Sequence, residues 1–204
     1  MLLLVPVALL LGLVALALLV AGLVAARRRR SAPELRRAGL GLLIVLVVLG
    51  IPIVTLLSAR GAPVIHDVTT DTADPPPFVA VLRHREGALN PVDYGGPDVA
   101  ARQRQAYPDL APLHLDMPPD QAFDRALAAV HDMGWDLVAA DRSAGRIEAT
   151  DTTIWFGFKD DVVVRVRRDD GGSRIDVRSL SRVGGGDLGT NAKRVLAYLR
   201  RLGP

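Results

Sequence analysis

The residues best suited to chemistry lie in one stretch, Arg178-Ser179-Leu180-Ser181-Arg182-Val183-Gly184-Gly185-Gly186-Asp187. A glycine-rich turn leading into a helix aims free backbone N–H groups at an anion, and the helix dipole favours negative charge at the same place. Arg178, Ser181, Arg182, Gly184 and Gly186, with Lys193 and Arg194 shortly after, form this candidate ligand- or anion-binding site. The stretch also has a plainer reading. The spacing of a phosphate-binding P-loop is absent, and Asp187 stands where an N-cap side chain would take up the free donors itself. The residue types favour this second reading, a structural turn.

A second stretch, Asp151-Thr152-Thr153-Ile154-Trp155-Phe156-Gly157-Phe158-Lys159-Asp160-Asp161, sets three aromatic residues beside charges. Trp155, Phe156 and Phe158 form a candidate aromatic rim around a ligand, or a set of side chains entering a membrane interface. In a domain otherwise poor in aromatic residues they also suit the core, and that reading is preferred. Asp160 and Asp161 suggest a metal site or an acid–base pair. Neighbouring residues of a strand point to opposite faces, however, so the two carboxylates should not converge, and each is expected to pair with an arginine. The chain has no cysteine, which removes thiolate metal sites, disulfides and a cysteine nucleophile. His66, His84, His114 and His131 show no metal-ligand spacing, and no serine sits in a nucleophile elbow. Neither a metal nor a cofactor is expected, and the catalytic residues of any activity are unassigned.

These residues are positioned by elements whose periodicity is clear from residue 118 onward. Pro118-Pro119-Asp120 starts a helix, with proline in the first turn and an acid near the positive end. Phe123, Ala126, Leu127, Val130 and Met133 follow helical spacing, and Gly134 suits the stop. Strands are predicted over Trp135–Ala140, Arg146–Thr150, Val162–Arg167 and Arg174–Ser179, joined by turns at 141–145 and 169–172. Short turns require antiparallel pairing. A last helix is predicted from a stripe of Leu188, Ala192, Val195, Leu196, Leu199 and Leu202. The resulting fold class is α+β: a two-layer domain with a four- to five-stranded antiparallel sheet and two helices on one face. The fifth strand is a short edge strand at Leu113–Leu115. The other face carries Arg146, Glu148, Arg165, Arg167, Arg174, Asp176 and Arg178, and is read as a surface for a partner. Residues 61–117, rich in proline and glycine, are read as an irregular N-terminal wrap.

The remaining residues, 1–60, have a different composition. Half of the 204 residues are hydrophobic although only 4% are aromatic, and the excess is concentrated here. No charged side chain occurs from Leu2 to Ala26, and Thr55 is the only polar one from Ala38 to Leu57. Two transmembrane helices are predicted, at about 2–26 and 38–57. A helix of 25 residues reaches about 37 Å, enough to cross a ~30 Å hydrocarbon core. An arginine-rich loop at 27–37 joins the two. Residues 27–60 carry seven Arg and one Glu, whereas 61–204 carry 18 basic and 21 acidic residues. The net charge of +3 therefore belongs to the membrane hairpin, and no nucleic acid is expected as a partner. Positive charge in a short loop is retained in the cytoplasm. Six arginines between the spans against Arg60 after them place the hairpin in the cell's inner (cytoplasmic) membrane as a multi-pass segment, with residues 61–204 as an extracytoplasmic domain.

Several strings are characteristic beyond their composition: Ile65-His66-Asp67-Val68-Thr69-Thr70-Asp71, Gln105-Ala106-Tyr107-Pro108-Asp109, Gly134-Trp135, Ile147-Glu148-Ala149-Thr150-Asp151-Thr152-Thr153 and Phe156-Gly157-Phe158-Lys159-Asp160-Asp161-Val162. Asp176-Val177-Arg178-Ser179, Ser181-Arg182-Val183-Gly184, Asp187-Leu188-Gly189 and Asn191-Ala192-Lys193-Arg194 belong with them. Together they resemble domain of unknown function 1499, a bacterial and plant family, over most of residues 63–202. The resemblance implies that the irregular stretch from Pro63 is part of the domain and brings no activity with it. The helix–meander–helix order is also similar to the helix-grip domains of outer-membrane assembly lipoproteins, a likeness of fold alone.

The expected function is a non-catalytic extracytoplasmic domain on a membrane hairpin. Its partners would be the lipid bilayer and an envelope protein or anionic lipid. The alternative is a membrane-anchored enzyme acting on an envelope substrate, with Asp160 or Asp161 as acid or base.

Overall fold

The computed structural model describes residues 4–28, 32–58, 60–153 and 157–203; within the first two helices the side chains of 4–9, 11, 48, 51–56 and 58 fall outside it. The chain divides into two compact units, Met1–Arg60 and Gly61–Pro204.

In the first unit, α1 (Leu4–Arg28) and α2 (Ala32–Ser58) are apolar helices packed against each other. Glycines permit the approach. A Cβ added at Gly12 would lie 2.3 Å from the Leu49 side chain, and one at Gly41 would lie 2.9 Å from Leu19. Small residues at such crossings let helix backbones come close. Among the described residues no helix is long and apolar enough to cross a membrane. Described side chains run unbroken only from Gly12 in α1 and only to Val47 in α2, so the predicted spans 2–26 and 38–57 lie partly outside the described residues.

The second unit is α+β with an antiparallel sheet. Its strands are β1 (Asp67–Thr69), β2 (Leu113–Leu115), β3 (Asp136–Asp141), β4 (Arg146–Thr152), β5 (Lys159–Asp169) and β6 (Gly172–Ser181). Their order is β1-β6-β5-β4-β3, with β2 also pairing with β6. β1 and β2 lie end to end along the outer edge of β6, opposite 178–180 and 173–175 respectively. The sheet thus has six strands, one more than the upper expectation, because three residues at 67–69 suffice to extend an edge. Helices α3 (Gly96–Ala106), α4 (Pro119–Asp132) and α5 (Thr190–Leu202) complete the unit, with a 3-10 helix at Ala80–His84.

Helix α4 begins where its prolines and Asp120 predict, and Gly134 ends it with φ 72°. Both α4 and α5 cover one sheet face. Phe123, Ala126 and Val130 of α4 and Val195, Tyr198 and Leu202 of α5 meet Ile147, Val162, Val164, Ile175 and Val177 of the strands in one buried cluster. Tyr198 stacks on Trp135 at 5.2 Å and its hydroxyl donates to the Ala126 carbonyl at 2.8 Å. Leu188 does not join this stripe. It precedes α5, has φ 56° and is 50% exposed.

The largest departure from expectation is the other face of the sheet, which is covered. The segment from 71 to 94 crosses it, burying Phe78 and Val81 against Val163 and Leu180. The domain is therefore a three-layer structure of helices, sheet and wrap. α3 falls within the stretch expected to be irregular; it is polar and buries only Ala100 and Gln103. Gln103 explains its place. Its side-chain amide accepts from Thr69 N–H (3.0 Å) and donates to Thr69 C=O (2.6 Å), so one side chain satisfies the open edge of β1.

Candidate functional site

The register gives the candidate residues their faces. On β5 and β6, Val162, Val164, Ile175 and Val177 point to the helices, which leaves Asp161, Arg165, Arg167, Arg174, Asp176, Arg178 and Arg182 on the wrap side. Asp160 and Ser181, being out of phase with these, lie on the helix side. The two adjacent carboxylates are on opposite faces, as alternation requires.

Arg178 is buried, with 3% exposure. Its guanidinium grips Asp67 with two bonds, at 2.9 and 2.7 Å, and donates to the carbonyls of Pro76 (3.2 Å) and Val92 (2.6 Å). It lies between the rings of Phe78 and Tyr94, 5.0 and 5.6 Å from their centroids. Flat guanidinium groups suit this combination of forked bonding and stacking. Burial pushes the Asp67 carboxyl up against the pull of Arg178. Burial, with Asp67 nearby, also raises the Tyr94 hydroxyl to about 12. Arg178 ties the edge strand β1 and two separate stretches of the wrap to β6.

Arg182 and Arg85 both pair with the fully buried Asp161. Thr150 donates its hydroxyl to the same carboxylate at 2.9 Å. Arg182 also donates to the His84 carbonyl at 2.6 Å, and Arg85 to that of Asn90 at 2.8 Å. Near the middle of this face Glu148, 1% exposed, accepts from the N–H groups of Val79, Ala80 and Val81 at the start of the 3-10 helix, and from Arg146. Further along, Arg165, Arg167 and Arg174 interlock with Asp71, Asp74 and Asp176. Burial acts to raise Asp71, but the N–H groups of Asp74 and Ala73 with Arg174 and Arg165 outweigh it and hold this carboxyl below its usual range.

On the helix side, Arg194 bridges Asp160 (2.6 Å) and Asp151 (2.7 Å) and donates to Ser179 and Asn191. Asn191 links Ser179, Ser181 and the His66 carbonyl. Asp187 accepts from Gly189 N–H at 2.9 Å and Asn191 N–H at 2.7 Å, filling the donors before α5. Burial pushes its carboxyl up.

The predicted site is thus dispersed. Arg178 and Arg182 lie on one face, Ser181 and Arg194 on the other, and all four bind partners within the domain. Gly184, Gly186 and Lys193 are exposed. Trp155 and Phe156 lie outside the described residues, while Phe158 is at the surface with 36% exposure. Asp160 and Asp161 are each held by arginine. Among the described residues no group of three His, Asp or Glu side chains is placed to hold a metal ion. An open hollow of about 260 Å³ lies between Pro119, Phe123, Arg142, Gly145, Val166 and Arg168, away from these carboxylates. Arg142 crosses the Phe123 ring there at 4.7 Å and pairs with Asp124.

The residues that sequence reasoning missed are the wrap's partners: Asp67, Asp71, Asp74, Arg85 and Gln103. One local signal was present. Val68-Thr69-Thr70 is a β-branched run, which favours a strand and would have set Asp67 and Thr69 on one face.

No curated protein matches the chain. Residues 67–202, from the first strand to the end of the last helix, match the family described as Protein of unknown function (DUF1499), and the chain belongs to that family.

Proposed function

We propose that this protein is a membrane-anchored binding module without catalytic activity, held in the inner membrane by the helices at 2–26 and 38–57, with residues 61–204 outside the cytoplasm. The observation that carries the non-catalytic reading is the commitment of the charged groups best suited to chemistry: Asp161, Arg178, Arg182 and Arg194 each hold two or more partners inside the domain, and the buried Asp160 is paired with Arg194. A general base needs an open approach to its substrate, and a receptor arginine needs free N–H groups. Neither condition is met at these residues. Anchoring rests on the uncharged runs and on helices of 25 and 27 residues, about 37–40 Å long. Orientation rests on the six arginines between the runs.

The surface left for recognition is the exposed loop bearing Gly184 and Gly186, with Lys193 beside it. Two measurements on intact cells test this reading. The full chain should remain in membranes after carbonate extraction, and protease added to spheroplasts should digest the carboxy-terminal part. Release by carbonate, or digestion only after lysis, contradicts it.

A further inference from the structure

We propose that one end of the sheet rests on the surface of the bilayer, through Val64, Leu89, Phe158 and Leu188. This deepens the preceding proposal by naming lipid as the partner of the 184–186 loop, and it rests on the anchoring proposed there.

Strand register defines the end. Asp67 pairs with Leu180, Asp160 with Ser181, and Asp151 with Asp160, so β1 starts, β4 ends, β5 starts and β6 ends together. The described residues beyond the strands at this end are 61–66, 153, 157–158 and 182–189. Leu89 joins them, because Leu89 N–H and Asn90 N–H both donate to the Arg182 carbonyl, at 2.9 and 3.0 Å.

These loops expose apolar side chains to an unusual degree. Val64 is 72% exposed, Leu89 80%, Leu188 50% and Phe158 36%. Single exposed leucines are common and mean little. Here four large apolar residues gather at one end. The hairpin turns at the opposite end present Arg142, Ser143, Ala144, Asp170 and Gly171, and no large apolar side chain is exposed there among the described residues. Clustering of this kind marks an interaction surface.

The positions are also fixed. The Asn90 side chain donates to the carbonyls of Ser181 and Gly184, both at 2.9 Å. Val64 lies against Gly186, where an added Cβ would come within 3.5 Å of it. Leu188 is the only described residue other than glycine with positive φ. A bulky side chain in that conformation is an outlier, and it projects an apolar group into solvent directly before α5.

Two observations select lipid. First, only residues 59–66 separate α2 from β1, and eight residues reach at most about 28 Å. Residue 67 is therefore tethered within that reach of the end of α2, whereas the turns at 142 and 170 lie about 35 Å away at the other end of the 11-residue β5. Second, Lys159 and Lys193, the only lysines in the chain, are both exposed and sit at this end, at the start of β5 and in the first turn of α5. Apolar side chains rimmed by lysine suit an anionic headgroup layer.

The absence of native cysteine permits a direct test in the full chain. Val64→Cys, Leu89→Cys, Leu188→Cys and Asp170→Cys are made singly, spin-labelled and reconstituted in nanodiscs of phosphatidylethanolamine and phosphatidylglycerol. Collision rates are measured with oxygen, which concentrates in lipid, and with a water-soluble nickel chelate. Labels at 64, 89 and 188 should favour oxygen, and the label at 170 should favour nickel. Nickel-dominated spectra at all four sites, in chains that remain in the discs, overturn the docking while leaving the anchor standing. Labels at 64, 89 and 188 shielded from both agents would assign the surface to a protein instead. A chain that never enters the discs removes the anchoring, and this proposal with it.

Discussion

Substituting Arg178→Ala distinguishes an internal clamp from a ligand receptor. In the structure Arg178 is 3% exposed, and its forked pair with Asp67 is equally buried. Removing the cation leaves Asp67 buried and unpaired, together with the carbonyls of Pro76 and Val92. Breaking a buried pair by deleting one partner costs about 3–5 kcal/mol. Loss of stacking between Phe78 and Tyr94 adds roughly 1 kcal/mol. In a domain of this size about 3–4 °C of melting temperature corresponds to 1 kcal/mol, so a fall of about 12–24 °C is expected. Urea unfolding of the full chain in detergent, followed by tryptophan fluorescence, reads the effect because Trp135 is buried against Tyr198. The paired variant Asp67→Leu/Arg178→Met removes both charges and should recover most of the loss, since well-packed apolar pairs replace buried ion pairs at little cost. A loss below about 1 kcal/mol in Arg178→Ala would mean that water already reaches the guanidinium. A double variant as unstable as the single one would likewise refute the reasoning.

Gln103→Ala should cost about 1–3 kcal/mol by leaving the edge groups of Thr69 without partners, and the Thr69 amide should exchange its hydrogen faster; an unchanged exchange rate would show that β1 does not depend on α3. Gly145→Ala should be more disruptive than an ordinary surface change, because Gly145 has φ 60° and an added Cβ would lie 2.2 Å from the Val166 carbonyl oxygen. A melting temperature within error of the parent would contradict that contact. Asp71, whose folded carboxyl is held low, contributes stability that is complete above about pH 4 and is lost as pH falls through its lower folded value. Asp71→Asn should therefore flatten the acid limb of the stability curve. Asp67 and Asp187 are shifted upward and act with the opposite sign, so only the difference between variant and parent reports Asp71, and equal slopes would sink the assignment.

Local pattern made the four-strand meander and the helices that cover it legible, because alternation over Val162–Arg167 and the stripe from Phe123 to Met133 each belong to one element. The closing of the charged face was not legible. Which partner Arg178 meets depends on Asp67, 111 residues earlier in the chain, and no period links them. Proline-rich segments suppress the regular signals on which sequence reading relies, so residues 71–94 read as an irregular wrap with nothing to show which face they cover, although they bury Phe78 and Val81. The start of α3 did carry a signal. Pro97 in the first turn and Asp98 after it are start residues, but Gly95-Gly96 beside them reads as a turn. Asp160 and Asp161 illustrate the reverse case, since their opposite faces followed from alternation alone.

Hydrogen exchange along residues 67–94 of the full chain tests most directly whether the wrap closes the charged face. Val79, Ala80 and Val81 donate their N–H groups to the buried Glu148 carboxylate. The closed face predicts protection at these amides approaching that of β5 and β6, in membranes and in detergent alike. Exchange at the rate of an open loop would show the face to be accessible, and would return its arginines to the list of surfaces available to a ligand.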